Sequence, residues 1–283
     1  MKAVVLDGIV LGLQFGLLGV GMTLVYGLGG VLNLAYGQMV VLAAMVVAIT
    51  LAAGVPALVA AGAGLLAGAA AGVVLDRTLM LPVYRQPGER RVLLGLLLTL
   101  GAAFVIDGLL LWRYPTGALR LAIGGEAVPI LGVRMRVGSL WATGISLAVA
   151  ALLLLLRATT PGRAAHAVIQ DEAGARLVGV NPAAVRTLIF AASGALAALV
   201  AETRSMTSPV SVTAGFNFTI LALIVAVVGG LGNVAGAFLA GVLLGIVSTV
   251  SAFYIGQYIT TIVLLAAAAL TIVARPRGLL GRG

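Results

Sequence analysis

Residues able to do chemistry are few in this chain. There is one histidine, His166, and no cysteine, so no multi-histidine metal site, thiolate nucleophile or disulfide can be built. Lys2 is the only lysine, which rules out the G-x-x-x-x-G-K-[ST] phosphate loop anywhere in the 283 residues. If ATP drives this protein, another polypeptide must bind it. Eight carboxylates remain, and only Asp107, in GAAFVIDGLLLW, lies well inside an apolar run. A central charge costs about 2.5 to 3.5 kcal/mol on insertion scales, while each leucine or valine returns about 0.3 to 0.6. The run can carry Asp107 if the acid has a partner or lies near an interface, and Trp112 and Tyr114 place an interface close by. A structural use is expected. Asp76 and Glu202 sit near the ends of apolar runs and say little.

Two glycine-interrupted stretches suggest transport rather than bond-making. GLGGVLNLAYGQ (27–38) comes early and GGLGNVAG (229–236) late. Each places glycines before an asparagine and another glycine soon after: Asn33 then Gly37, Asn233 then Gly236. Matching interruptions in two halves of a membrane protein point to a repeated architecture with a pathway at the repeat interface. Irregular backbone at membrane depth persists only where protein or a watery cavity satisfies it. On that reading Asn33, Tyr36, Gly37, Gln38, Gly229, Gly230, Gly232, Asn233 and Gly236 line or stabilise a polar route. The other reading makes the glycines packing contacts and the asparagines helix caps, and the residues leave both open.

The largest polar segment is RATTPGRAAHAVIQDEAGARLVGVNPAAVR (157–186). One helix is expected over about 164–178, ending at Gly179 as a left-handed cap, and a second starts at Asn181 with Pro182 in its first position. This elbow presents Asp171, Glu172 and Arg176 on a short water-exposed helix. It reads either as an ordinary capped connection or as a rigid lever for another protein.

The elements that must position these residues are apolar almost throughout. Hydrophobic residues make up 62% and charged residues 9%, where a soluble chain carries about a quarter charged. Mean hydropathy is +1.21. The expected fold is therefore all-α, a polytopic membrane bundle of about eight to ten transmembrane helices with two related halves in a single domain, 1–283. Spans are expected at about 4–26, 38–54, 57–79, 92–112, 138–157, 186–202, 218–230, 234–253 and 257–274. The 218–230 run is short enough to be a partial crossing. The first run, interrupted by Asp7 and lacking a small-x-small cleavage site, reads as a retained span. Small residues, as in GLLAGAAAG (64–72), allow close helix approach. Turn residues within 113–138 suggest a small hairpin, and Trp141, Tyr254 and Tyr258 sit where an interfacial belt belongs.

The net charge of +9 does not suggest nucleic acid, because the arginines stand at the ends of apolar runs with no basic stripe. If 157–186 is cytoplasmic, the inside also collects Arg77, Arg85, Arg90, Arg91, Arg275, Arg277 and Arg282. Outside are Lys2, Arg113, Arg120, Arg134, Arg136 and Arg204. The bias places 157–186 and the C-terminus in the cytoplasm of a bacterial-type inner membrane.

Four stretches carry a family resemblance. GVGMTLVYGLGGVLNLAYGQMVVLAA (19–44), TPGRAAHAVIQDEAGARLVGVNPAAVRTLIFAASGALAALVA (160–201), AVVGGLGNVAGAFLAGVLLGIV (226–247) and RPRGLLGR (275–282) resemble, in order, signatures of the permease subunits of branched-chain amino acid ABC importers. The resemblance implies that 164–179 contains the coupling helix, with Asp171, Glu172, Ala173, Arg176 and Gly179 facing an ATP-binding subunit. Importer permeases often carry Glu-Ala-Ala with a glycine six residues after the Glu. Here Glu172-Ala173-Gly174 is followed by Gly179, one residue late. The implied partners are two ATP-binding cassette subunits holding ATP, a second related permease and an extracytoplasmic solute-binding protein. No cofactor is expected in this chain. A self-contained secondary carrier or channel is the alternative, with only Asp107 to serve an ion relay. An intramembrane enzyme would have few groups to work with.

Overall fold

The computed structural model describes residues 1–28, 30–121, 127–130, 132–275 and 278–279. Arg277, Arg282 and most of the closing RPRGLLGR stretch lie outside the described residues, as does the Tyr258 side chain. Twelve helical stretches are found among those described. They are α1 (Lys2–Gly27), α2 (Tyr36–Ala52), α3 (Ala57–Leu75), α4 (Leu81–Val83), α5 (Gly88–Arg113) and α6 (Val137–Arg157). Then come α7 (Thr160–Gln170), α8 (Glu172–Leu177), α9 (Pro182–Thr207), α10 (Gly215–Gly229), α11 (Val234–Ile255) and α12 (Gln257–Ala274). Seven are long and apolar enough to cross a membrane, counting α3 through α4 as one, and α2 and α12 are shorter apolar helices. The protein is a multi-pass, helical membrane protein.

Glycine lets the central helices touch backbone to backbone. Helix α1 runs antiparallel to α11: Gly8 faces Ile246, Gly12 faces Val242 and Gly16 faces Phe238. A Cβ on Gly241 or Gly245 would collide with the α1 backbone at Gly16 or Gly12. Helices α3 and α9 meet in the same way at Gly68 and Gly194, and Gly72 lies against the Phe190 carbonyl. Without a hydrophobic difference between lipid and leucine, this close approach is what holds such helices together. The outer helices α5 and α6 expose Leu93, Leu97, Phe104, Leu109, Trp112, Leu152, Leu154 and Leu155, as a lipid-facing surface requires.

Alternation of direction places the connections at two ends. The elbow end holds the C-termini of α1, α3 and α6, both elbow helices and the α10–α11 turn. Leu279 is there too, its amide donating to the Val228 carbonyl at 3.0 Å. The far end carries two small antiparallel pairings: β1 (Ala118–Leu119) with β4 (Val210–Ser211), and β2 (Val128–Ile130) with β3 (Val133–Met135). The second is the hairpin expected within 113–138.

Two expectations need correction. The run at 218–230 belongs to a longer element: its helix begins at Gly215 and follows a 3-10 turn, Val212–Ala214, giving an 18-residue apolar span that is long enough to be a candidate crossing. The elbow does not hold one helix over 164–178. The chain breaks at Asp171, whose backbone is extended (φ −152°) and whose carboxylate accepts from Ala173 N at 3.0 Å. Aspartate competes for local backbone donors and so prefers a cap to a helix interior. Helix α3 continues through a π turn, Asp76–Met80, into α4.

Candidate functional site: an unwound stretch and an elbow

Helix α2 begins inside the bundle. Its first residue, Tyr36, is fully buried, with its hydroxyl against Gly21, six residues before the end of α1. Six residues of helix measure about 9 Å, so the chain after Gly27 turns and re-enters the protein before α2 starts. Gly30, with φ +71°, makes that turn. Residues 31–33 then run without helix, and Val31 and Asn33 are buried.

Backbone groups freed by this unwinding are met by side chains from two other helices. Thr99 of α5 accepts from Leu34 N at 3.2 Å and lies 3.4 Å from the Leu32 carbonyl. Thr219 of α10 accepts from Gly37 N at 3.0 Å and can donate to the Leu34 carbonyl at 3.2 Å. Asn33 completes the set, accepting from Ala35 N at 3.1 Å and reaching Met39 Sδ at 3.5 Å. A Cβ on Gly37 would collide with the Gly215 carbonyl, so α2 and α10 are in backbone contact here. Gln38 donates to Asp107 Oδ1 at 3.0 Å, which supplies the partner the insertion cost requires. The hydroxyl of Tyr36 and Oε1 of Gln38 have no hydrogen-bond partner among the described residues.

The second interruption is built differently. Gly230 (φ 97°) and Gly232 (φ 86°) form a tight turn at the elbow end, and Asn233 caps α11 by accepting from Gly236 N at 3.0 Å. Gly229 and Gly236 approach backbone to backbone across the turn. The sequence therefore brings out one interruption within the bundle and one at its edge.

Every joint of the elbow is capped. Thr159 starts α7, Asp171 starts α8 and Asn181 starts α9, with Pro161 and Pro182 near the helix beginnings. Helix α8 closes in a Schellman arrangement: Gly179 N donates to the Arg176 carbonyl and Val180 N to the Ala175 carbonyl. Gly179 has φ +84°, as that cap requires. Glu172 is already engaged within the chain, 2.7 Å from Arg176 Nη2 and 3.0 Å from Arg186 Nη1. Partial burial opposes its ionisation, but the hydrogen bond from Arg176 and the Arg186 charge outweigh it and hold the carboxyl below its usual range. Asp171, Ala173 and Arg176 are exposed, and so are the apolar Leu177 (89%) and Val178 (77%).

Sequence reasoning missed Thr99, Thr219 and the enclosure of Glu202. Each threonine also bonds its own preceding turn, at Gly95 O and Gly215 O, so neither looks different from any threonine in an apolar helix. Glu202 is 5% exposed and lies against Gly64. At the far end a cavity of about 380 Å³ is lined by Asp7, Gln14, Arg134, Arg136, Ser139 and Arg204, among others.

Comparison with known proteins agrees with this architecture. The family model described as "Branched-chain amino acid transport system / permease component" matches residues 4–274. The high-affinity branched-chain amino acid transport system permease protein LivH of Escherichia coli (strain K12) is 26% identical, the alignment covering 98% of this chain and 94% of LivH. LivH of Salmonella typhimurium matches to the same extent. BraD of Pseudomonas aeruginosa, from the same kind of system, is 33% identical over 132 residues, 46% of this chain and 43% of BraD. Among solved structures, PsaBC from Streptococcus pneumoniae in complex with Fab shares the fold, with a TM-score of 0.53 at 11% identity over 96% of this chain and 91% of that one. The chain belongs to the family of permease components of branched-chain amino acid transport systems, and is a permease subunit of an ABC importer.

Proposed function

We propose that this permease carries branched-chain amino acids, or a small polar solute of similar size, inward across a bacterial-type inner membrane. Two ATP-binding cassette subunits supply the energy, a second related permease completes the pathway, and an extracytoplasmic binding protein delivers the solute. The chain itself makes and breaks no covalent bond. ATP is bound by the partner subunits, since a chain whose only lysine is Lys2 has no phosphate loop of its own. The segment 157–186 and the C-terminus face the cytoplasm.

The observation that carries this reading is the capped double-helix elbow. A loop capped at every joint moves as a unit, and this one is fastened to the span α9 through Glu172 and Arg186. It leaves Asp171, Ala173, Arg176, Leu177 and Val178 outward, a mixed charged and apolar face for an ATPase to grip. Names of the relatives, LivH and BraD, support the substrate class. The unwound stretch with Asn33, Tyr36, Gly37 and Gln38 supports a polar route beside α5 and α10. The turn containing Gly229, Gly230, Gly232, Asn233 and Gly236 borders that route at its cytoplasmic end.

Affinity purification of the tagged chain from its own membranes in mild detergent, followed by mass spectrometry, tests the assembly. A stoichiometric ATP-binding cassette protein and a second permease are expected. A chain that purifies alone and moves solute in liposomes without ATP would overturn the proposal in favour of a secondary carrier.

A further inference from the structure

The elbow and the unwound stretch are far apart in sequence, yet four side chains join them at the elbow end. Glu172, at the start of α8, pairs with Arg186 of α9 at 3.0 Å. The Arg186 guanidinium lies 4.4 Å from the centre of the Tyr84 ring. The Arg91 guanidinium, on α5, lies 4.8 Å from the centre of the same ring. Arg91 Nη2 in turn donates to the Leu28 carbonyl at 3.0 Å. Leu28 caps α1 and is the first residue of the link into the unwound stretch.

Each step has a physical reason. A helix C-terminus leaves carbonyls unpaired and carries partial negative charge, so the Leu28 carbonyl attracts a cation. Arg91 has no acid partner among the described residues, and its Nε finds no hydrogen-bond partner. The Leu28 carbonyl and the Tyr84 ring are the contacts that hold it. Two guanidinium groups sharing one aromatic ring are held by its quadrupole, and displacing one changes the field and space available to the other. Burial, joined by the nearby Asp76 charge, pushes the Tyr84 phenol up, against the pull of Arg186 and Arg91. The ring therefore stays neutral. Beside it the π turn of Asp76–Met80 is tied to α9, Thr187 donating to Asp76 Oδ2 at 2.6 Å. A second, apolar contact sets Ile169 of α7 against Gly27.

We propose that Tyr84 is a positioning residue for transport: its ring couples Arg186 to Arg91, so that movement of the elbow is passed to Leu28 and from there to the unwound stretch 30–35. This rests on the reading that an ATPase grips the elbow. Residues 31–33 lie outside any helix, with no helical hydrogen bonds of their own to break.

The test uses the whole importer in liposomes, reading subunit assembly, ATP hydrolysis and solute moved per ATP. Tyr84→Phe keeps the ring and is expected to stay within about twofold of wild type, while Tyr84→Leu and Arg91→Gln assemble and hydrolyse ATP but move about tenfold less solute per ATP. Arg91→Gln keeps the proposal testable if Tyr84→Leu fails to accumulate. Wild-type transport per ATP in an assembled Arg91→Gln complex would overturn the relay and leave the importer reading intact. Tyr84→Phe as defective as Tyr84→Leu would overturn the role given to the ring. A wild-type chain that brings no ATPase with it would overturn the importer assembly, and the relay with it.

Discussion

The stretches 27–38 and 229–236 have the same pattern of glycine, asparagine and glycine, but the protein uses them in different ways. The early one unwinds inside the bundle and takes its hydrogen bonds from Thr99 and Thr219 on other helices. The late one is a tight turn at the bundle edge, satisfied locally by positive-φ glycines and an Asn233 cap. Glycine spacing therefore marks an interruption without fixing its depth. Depth follows from the length of the helix that comes next. Helix α2 has 17 residues, about 26 Å, which falls short of a hydrocarbon core of about 30 Å. The residues before it must make up the distance inside the protein. Helix α11 has 22 residues, about 33 Å, and can cross from its cap onward.

The largest effect is expected at Gly37. A side chain there collides with the Gly215 carbonyl and Thr219, and neither backbone can move without displacing a packed helix. Gly37→Val should abolish accumulation of monodisperse protein in detergent, read by size-exclusion chromatography of a fluorescent fusion. Normal accumulation and uptake would mean that α2 does not sit against α10 as described.

Thr219→Val should come next. It leaves the Gly37 amide and the Leu34 carbonyl without their partner, at about 1–3 kcal/mol for each buried group left unpaired. Thermal stability in detergent and solute uptake should both fall, and Thr219→Ser should restore most of each. Thr99→Val should behave in the same way through Leu34 N. At the second interruption, Gly232 has open space around it and φ +86°, so Gly232→Ala costs only the left-handed backbone strain of about 1–2 kcal/mol. If Gly232→Ala proves as damaging to uptake as Thr219→Val at equal protein level, the late turn matters to transport as much as the unwound stretch and the contrast between the two segments fails.

Much of this was legible in the sequence because it is local. Spans follow from apolar runs, and Asn181-Pro182 and Gly179 announce caps within a few residues. What was not legible lies between distant elements. Thr99 and Thr219 serve a stretch 65 and 182–185 residues away, and no periodicity in their own helices marks them. The break at Asp171 was missed because the surrounding residues form helix readily, while the side chain's competition for the Ala173 amide decides locally. The pairing of Glu172 with Arg186, one turn into the next helix, likewise has no local signal in the sequence. Length arithmetic could have found the unwound stretch, since a 17-residue helix after a full span leaves too little helix to cross.

Asp107 carries the smallest expected effect and separates two mechanisms. It is the sole acid well inside its run and accepts a hydrogen bond from Gln38, beside the unwound stretch. Asparagine at this position keeps an acceptor oxygen for Gln38 and removes only the capacity for charge. If Asp107 is the structural partner of Gln38, Asp107→Asn should change stability by no more than about 1 kcal/mol and leave ATP-driven uptake near wild type. Gln38→Leu should cost more, because it removes the hydrogen-bond donor from a half-buried carboxyl group inside an apolar span. A carrier driven by an ion gradient reverses that order: its intramembrane acid must bind and release the ion, so Asp107→Asn would stop uptake while the protein still folds. Uptake by the two variants, measured at matched protein levels, decides whether α5 contributes a hydrogen bond to the first interruption or a charge to the transport cycle.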